Sequence, residues 1–250
     1  MKFEEAYVKP LDKIIDINEL SLMKKSKFVE FAKTCDNLYC PECMKAKLVY
    51  VLSNPVYLRT CQNSEHSEDC SLKQEELSKT RTKEFVKEQN FDTLNRQLQR
   101  LILNLSSCAQ KEKTDLSQKA TIQENNNGSF ITNVGGKNFR FPQKRIDLPL
   151  FEDDYDKIKL FYGTVLCTWE KAKNGNDYRL LIYLDSKQRL LCRIFVKENI
   201  YKFVPSKMKF KGQKKCRIAF VASINKVEGK TYCQTGLIHS TLLELQQLNN

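Results

Sequence analysis

The chain has 250 residues, 41% of them hydrophobic and 29% charged, a globular composition with room for one large domain or two small ones. No apolar run reaches the roughly 18 residues of a membrane-spanning helix. The opening MKFEEAYVKPLDKIIDINEL has no signal-peptide core, so a cytoplasmic protein with no membrane partner is expected. The formal charge is +12 and unevenly placed: residues 1–156 carry 24 Lys and Arg against 24 Asp and Glu, residues 157–250 carry 18 against 6. An excess confined to one part suits a polyanionic partner held by that part.

The first informative stretch is NLYCPECMKAKLVYVLSNPVYLRTCQNSEHSEDCSL, residues 37–72. Thiols stay reduced in a cytosol, so ten cysteines do not read as a disulfide framework. Cys40-Pro41-Glu42-Cys43 is a knuckle able to fill two corners of a zinc tetrahedron. His66 and Cys70 supply the second pair after two strand-like runs, LVYVL and VYLRT, joined by an Asn54-Pro55 turn. The expected ligands of a structural Zn2+ are therefore Cys40, Cys43, His66 and Cys70. Cys61 in place of His66 is the rival set, and a redox CxxC or unrelated core cysteines the plain alternative. A catalytic zinc is not expected. Zinc deaminases need HxE before PCxxC, and here His66-Ser67-Glu68 follows the knuckle.

These residues resemble the zinc-binding segment of CoiA-like competence proteins and related bacterial mobile-element proteins. The matching positions are Cys40, Pro41, Cys43, Pro55, Tyr57, Arg59, Thr60, His66 and Cys70, within residues 35–72. The histidine-aromatic pair that often follows the family's proline is Val56-Tyr57 here, so no ligand comes from it. The resemblance implies a DNA-handling setting. The family's downstream nuclease carboxylates find no convincing counterpart after residue 72, and that activity is not carried over.

Residues 72–107 lack Gly and Pro and read as helix. Phe91, Leu94, Leu98, Leu101 and Leu105 form an apolar stripe, fit for packing on a domain or for a protein partner or homodimer seam through residues 91–105. Residues 106–128 are polar and read as linker. FITNVGGKNFRFPQ reads as a hairpin around Gly135-Gly136.

Five strand-like runs follow, over 159–172, 177–185, 189–197, 214–227 and 230–238, with ENIYKFV (198–204) helix-like between the third and fourth. That order is the order of an OB-fold, and this half resembles the OB-type barrels of single-strand-binding proteins. The expected fold is thus α+β: an N-terminal segment over 1–72 with a zinc ribbon at about 37–72, a helix and linker over 73–128, and a basic OB-like β-barrel over 129–250. Alternation in the second and third runs puts Tyr178, Leu180, Ile182 and Leu184, with Leu190, Cys192, Ile194 and Val196, toward the core. Arg179, Tyr183, Arg189, Leu191, Arg193 and Phe195 then face outward. Cations among aromatics suit single-stranded DNA or RNA. Trp169 and Lys171 extend that set, and the loop KMKFKGQKKCR, with Lys211, Lys214 and Lys215, is a candidate backbone clamp.

No Gly-rich phosphate loop, nucleophile elbow or paired carboxylate motif is present, and His239 reads as a structural histidine. The function expected is non-catalytic nucleic-acid binding in a bacterial or phage system. An interaction subunit is the alternative, and a divergent nuclease a more distant one.

Overall fold

A computed structural model describes residues 2–88, 91–111, 130–134, 137–173, 175–184 and 189–248. It is mixed α and β, and the chain divides into two compact units interleaved in sequence. The first comprises Met1–Glu76, Glu124–Arg140 and Leu148–Leu150; the second comprises Leu77–Gln123, Phe141–Asp147 and Phe151–Asn250. Among the described residues no helix is long and apolar enough to cross a membrane.

In the first unit, β1 (Glu5–Val8) pairs antiparallel with β2 (Lys13–Asp16). Asp16 then caps α1 (Ile17–Ser26): its carboxylate accepts from the N–H of Asn18 and of Glu19, both at 2.9 Å. After α2 (Phe28–Cys35), β3 (Leu38–Tyr39) returns to β1. The expected strand pair is present as β4 (Leu48–Val51) and β5 (Tyr57–Thr60), antiparallel, with a cis Asn54-Pro55 peptide in the turn. This ribbon is not free-standing. Phe3 and Leu58 exchange backbone hydrogen bonds of 2.8 and 3.1 Å. Leu48 and Leu58, both fully buried, join Phe3, Ala6, Val8, Ile15, Leu20 and Leu38 in one core. Two further strands, β6 (Ile131–Val134) and β7 (Lys137–Arg140), pair antiparallel, while Gly135-Gly136 lies outside the described residues.

The second unit begins with α3 (Lys79–Lys87) and α4 (Phe91–Lys111). The leucine stripe of α4 is used within the unit: Leu94 and Leu98 are fully buried and Leu101 nearly so. The helix lies against strands introduced below, and its Asn95 side chain donates to the Thr241 carbonyl at 2.8 Å. The sheet holds β8 (Gln143–Arg145), β9 (Ile158–Lys171), β10 (Tyr178–Leu184) and β11 (Arg189–Val196). The short α5 (Glu198–Tyr201) follows, then β12 (Lys214–Ser223), β13 (Asn225–Lys226), β14 (Cys233–Gly236) and β15 (Leu243–Gln247). Neighbours run β13-β14-β11-β10-β9-β12-β15, with β8 also on β9 and β14 parallel to β11.

Two departures from the sequence reading matter. Neither β8 nor β15 was expected. The ladder of described residues is a path from β13 to β15 rather than a closed ring, because the fourth run is divided at Ile224 into β12, which pairs with β9, and β13, which pairs with β14. Between the first three runs the sequence reads as two hairpin turns, NGND (174–177) and DSKQ (185–188), which fall partly and wholly outside the described residues.

Inside the second unit Asp154, only 4% exposed, faces two buried lysines. Lys159 Nζ donates to its Oδ1 at 2.7 Å, and Lys144 Nζ lies 3.4 Å from its Oδ2, which also accepts from the Phe151 N–H at 2.7 Å. Gly163 is required where it stands. A Cβ there would meet Asp147 Oδ1 at 2.7 Å, and Asp147 is tied to the Arg145 guanidinium and the Thr164 N–H.

Candidate metal centre and basic sheet face

The knuckle is a tight turn. The Met44 N–H donates to the Cys40 carbonyl at 3.0 Å, with Met44 in the left-handed region at φ 53°. The Cys40 N–H donates to the Ala46 carbonyl at 2.7 Å, fixing the turn against the start of β4. On the far side of the ribbon the Cys70 N–H donates to the Ser67 carbonyl at 3.1 Å. The Glu42 carboxylate accepts from both the backbone N–H and the hydroxyl of Ser71, joining the two halves.

The four expected residues therefore meet. One ligand atom from each of Cys40, Cys43, His66 and Cys70 lies within 4.8 Å of the others. Cys40 Sγ is 3.8 Å from Cys70 Sγ; His66 Nδ1 is 3.6 Å from Cys43 Sγ and 3.3 Å from Cys70 Sγ. Bond lengths of ~2.3 Å to sulfur and ~2.05 Å to nitrogen give tetrahedral edges of about 3.8 Å between sulfurs and about 3.6 Å from sulfur to nitrogen. The group can hold a metal ion. Cys61 is not part of it; its N–H pairs instead with the Lys47 carbonyl at 2.8 Å.

The surroundings prepare these ligands. His66 Nε2 is 3.3 Å from Thr60 Oγ1, so an Nε2–H donated there leaves Nδ1 free to ligate, and Phe3 stacks on the ring. At Cys43 burial pushes the thiol up, but N–H groups of Ala46, Ser67 and Lys45 outweigh it and lower the thiol to about 6. Burial raises Cys40 to about 11. It raises Cys70 further, with the charges of Cys40 and Glu42 adding to it. Sulfurs packed this closely oppose one another's ionisation, and a divalent cation at their centre would relieve that repulsion.

No protein-family model, curated protein or solved structure matches this chain.

The register of the large sheet decides which basic residues share a face. Arg179 lies opposite Phe195 and Leu181 opposite Arg193, while Leu180, Ile182, Cys192 and Ile194 are buried on the other side. The Arg179 guanidinium sits over the Phe195 ring at 5.4 Å, and that of Arg193 over the Tyr232 ring at 4.8 Å. Among the described residues neither arginine makes a salt bridge, Glu170 stands opposite Arg179 across the ladder, and the Nε of each arginine is buried without an acceptor. Tyr183 belongs to the same face: burial raises its hydroxyl, the Glu170 charge adds to this and Arg193 opposes it. Lys215 is on this side too, through Leu166, which pairs with both Lys215 and Tyr183.

Other expected members stand elsewhere. A register shift between Ile182 and Tyr183 sets Leu190 opposite Tyr183 and Arg189 opposite Leu184. The alternation read from the sequence is therefore reversed at these two residues, and Arg189 is an exposed strand end. Trp169 pairs with Leu180 and Lys171 with Tyr178, which puts both on the face away from Arg179. The indole N–H of Trp169 donates to the Met208 carbonyl at 2.8 Å and its ring meets Tyr201 edge-on, a structural role. Lys211 and Lys214 are exposed around the turn into β12. His239 stacks on Phe91 and caps the turn at Ser240–Leu242.

Sequence reasoning missed Tyr232. The signal was present in the last run, where Cys233 is buried and its neighbour therefore points outward.

Proposed function

We propose that this protein binds single-stranded nucleic acid, performs no chemistry of its own, and does so on the outer face of an OB-like barrel. A structural zinc ion holds its N-terminal ribbon. The observation that carries the reading is the pair Arg179 and Arg193: two half-buried arginines on one sheet face, each with its guanidinium over an aromatic ring and, among the described residues, neither in a salt bridge. Partly buried guanidiniums with hydrogen-bonding capacity to spare suit an anionic ligand. The charge excess after residue 157 supports the same conclusion.

The barrel reading is supported by strand order. β9, β10 and β11 form a meander, a short helix follows, β12 returns to β9, and β14 lies parallel to β11. β13 begins one residue after Ile224, so one run of chain flanks both β9 and β14, and the Thr235 hydroxyl donates to the Ser223 carbonyl at 2.8 Å. A partly open five-stranded barrel has this arrangement. Zinc is the metal favoured by three thiolates and an imidazole at tetrahedral spacing. The likeness of residues 35–72 to CoiA-like proteins supports a bacterial or phage DNA-handling setting, without that family's nuclease activity.

Fluorescence anisotropy with labelled single- and double-stranded oligonucleotides at two salt concentrations tests this. Binding is expected to prefer the single strand, to weaken log-linearly with salt, and to be lost in Arg179→Ala/Arg193→Ala. No binding of either strand at low salt would refute it. A second reading, an interaction subunit, is favoured by a groove of about 450 Å3 beside α4, whose Leu103 is 62% exposed. Its partner binding would hardly respond to salt.

A further inference from the structure

We infer that the ligand's bases stack on the outer faces of the Arg179 and Arg193 guanidiniums, with Phe195 and Tyr232 serving as positioning residues behind them. This rests on the nucleic-acid reading and specifies its chemistry. In the free protein the two rings are already covered, because the guanidinium carbons lie 5.4 and 4.8 Å above them. A base cannot lie on those ring faces without displacing the arginine. A planar guanidinium placed over a ring still offers its opposite face, and bases stack on guanidinium planes as they do on aromatic rings. The Nε of each group is buried while the residue as a whole is partly exposed, so the accessible part of each arginine lies away from its Nε.

The spacing identifies the strand. Arg179 is opposite Phe195, and Arg193 is two residues from Phe195 on β11, so the two arginines are diagonal neighbours across the ladder. Diagonal neighbours are about 7–8 Å apart, roughly twice the ~3.4 Å between stacked bases along one strand of a duplex. Platforms set on positions so spaced suit the splayed bases of an extended single strand better than the stacked bases of a duplex.

A guanidinium stack and a point charge differ in one measurable way. Lysine keeps the charge of arginine and loses the plane. The test compares wild-type protein with Arg179→Lys/Arg193→Lys and with Phe195→Leu/Tyr232→Leu. The probes are labelled 12-mers, deoxyribo and ribo, each in a normal form and in an abasic form that keeps the phosphates and lacks the bases. Thermal midpoints confirm that the variants fold, and the leucine pair leaves both charges in place. Wild type is expected to prefer the normal probe by about 5- to 150-fold for each platform engaged. The preference should collapse in the lysine pair and shrink in the leucine pair, while affinity for the abasic probe stays within a few-fold. Equal wild-type affinity for normal and abasic probes would overturn the inference and leave nucleic-acid binding standing. So would a preference that survives in the lysine pair. Failure of wild type to bind any probe at low salt would overturn the underlying reading itself.

Discussion

Asp154→Asn removes the negative charge that bridges the two buried lysines while keeping the shape of the side chain. Asp154 and Lys144 are each 4% exposed and Lys159 is 8% exposed. Removing one partner from a buried ion pair costs about 3–5 kcal/mol, because the remaining charge keeps its desolvation penalty. At ~2–4 °C per kcal/mol for a chain of this size, the unfolding midpoint should fall by about 6–20 °C. The pH dependence gives a second constraint. Burial lowers Lys144 from 10.5 to about 8, against the opposing pull of Asp154. Its folded value lies below its unfolded one, so between those values the unfolded chain binds more protons and this group makes stability rise with pH. Without Asp154 the lysine deprotonates still more easily, so the deficit of the variant should shrink from pH 7 to pH 9. Asp154 has the same sign in a lower pH window. Burial pushes its carboxyl up, but Lys144 and Lys159 outweigh this and lower it, so its contribution is lost as the medium turns acid. Urea unfolding of both proteins at the two pH values is the assay. A loss under about 1 kcal/mol at pH 7, or a deficit that grows toward pH 9, would show that the cluster is hydrated and refute the reasoning.

Purified protein should carry one zinc per chain, and X-ray absorption should show three sulfurs and one nitrogen around it; Cys70→Ser should lose the metal. Amide exchange should then rise in the two ligand-bearing turns, residues 40–46 and 61–70, while the core shared by Phe3, Leu20 and Leu58 stays protected. Gly163→Ala should cost about 1–3 kcal/mol in urea unfolding, since its methyl group would displace Asp147 from Arg145 and Thr164. Trp169→Phe should cost about 1 kcal/mol by losing the bond to the Met208 carbonyl, yet leave oligonucleotide affinity unchanged, because the ring lies on the face away from Arg179.

The metal-ligand set was legible because ligand chemistry restricts both residue type and spacing. CPEC and HSEDC, set around two short strands, bring together four residues that can hold a metal ion. The five strand-like runs were legible from alternation, since a buried face needs an apolar residue at every second position. Alternation failed where geometry departs from regularity. A register shift leaves no local signature among hydrophobic residues, so Leu190 and Arg189 were assigned to the wrong faces. Trp169 was misplaced because an aromatic near a strand end fits either side until a neighbour such as the 205–209 turn takes up its N–H. β15 was missed because LLELQQL has the spacing of a helix as well as of a strand, and only pairing with β12 separates them. The dependence of the ribbon on Phe3, fifty-five residues before Leu58, is a long-range contact without a local signal.

The backbone passes between the two units at residues 76/77, 123/124, 140/141, 147/148 and 150/151. No single cut can separate such an arrangement. A fragment starting at residue 151 would keep β9 to β15 but forfeit β8 and the helix α4, and one ending at residue 76 would forfeit β6 and β7. Truncation therefore removes elements from the unit it is meant to isolate, and the residues that can hold a metal and those of the basic sheet are best expressed together in one chain.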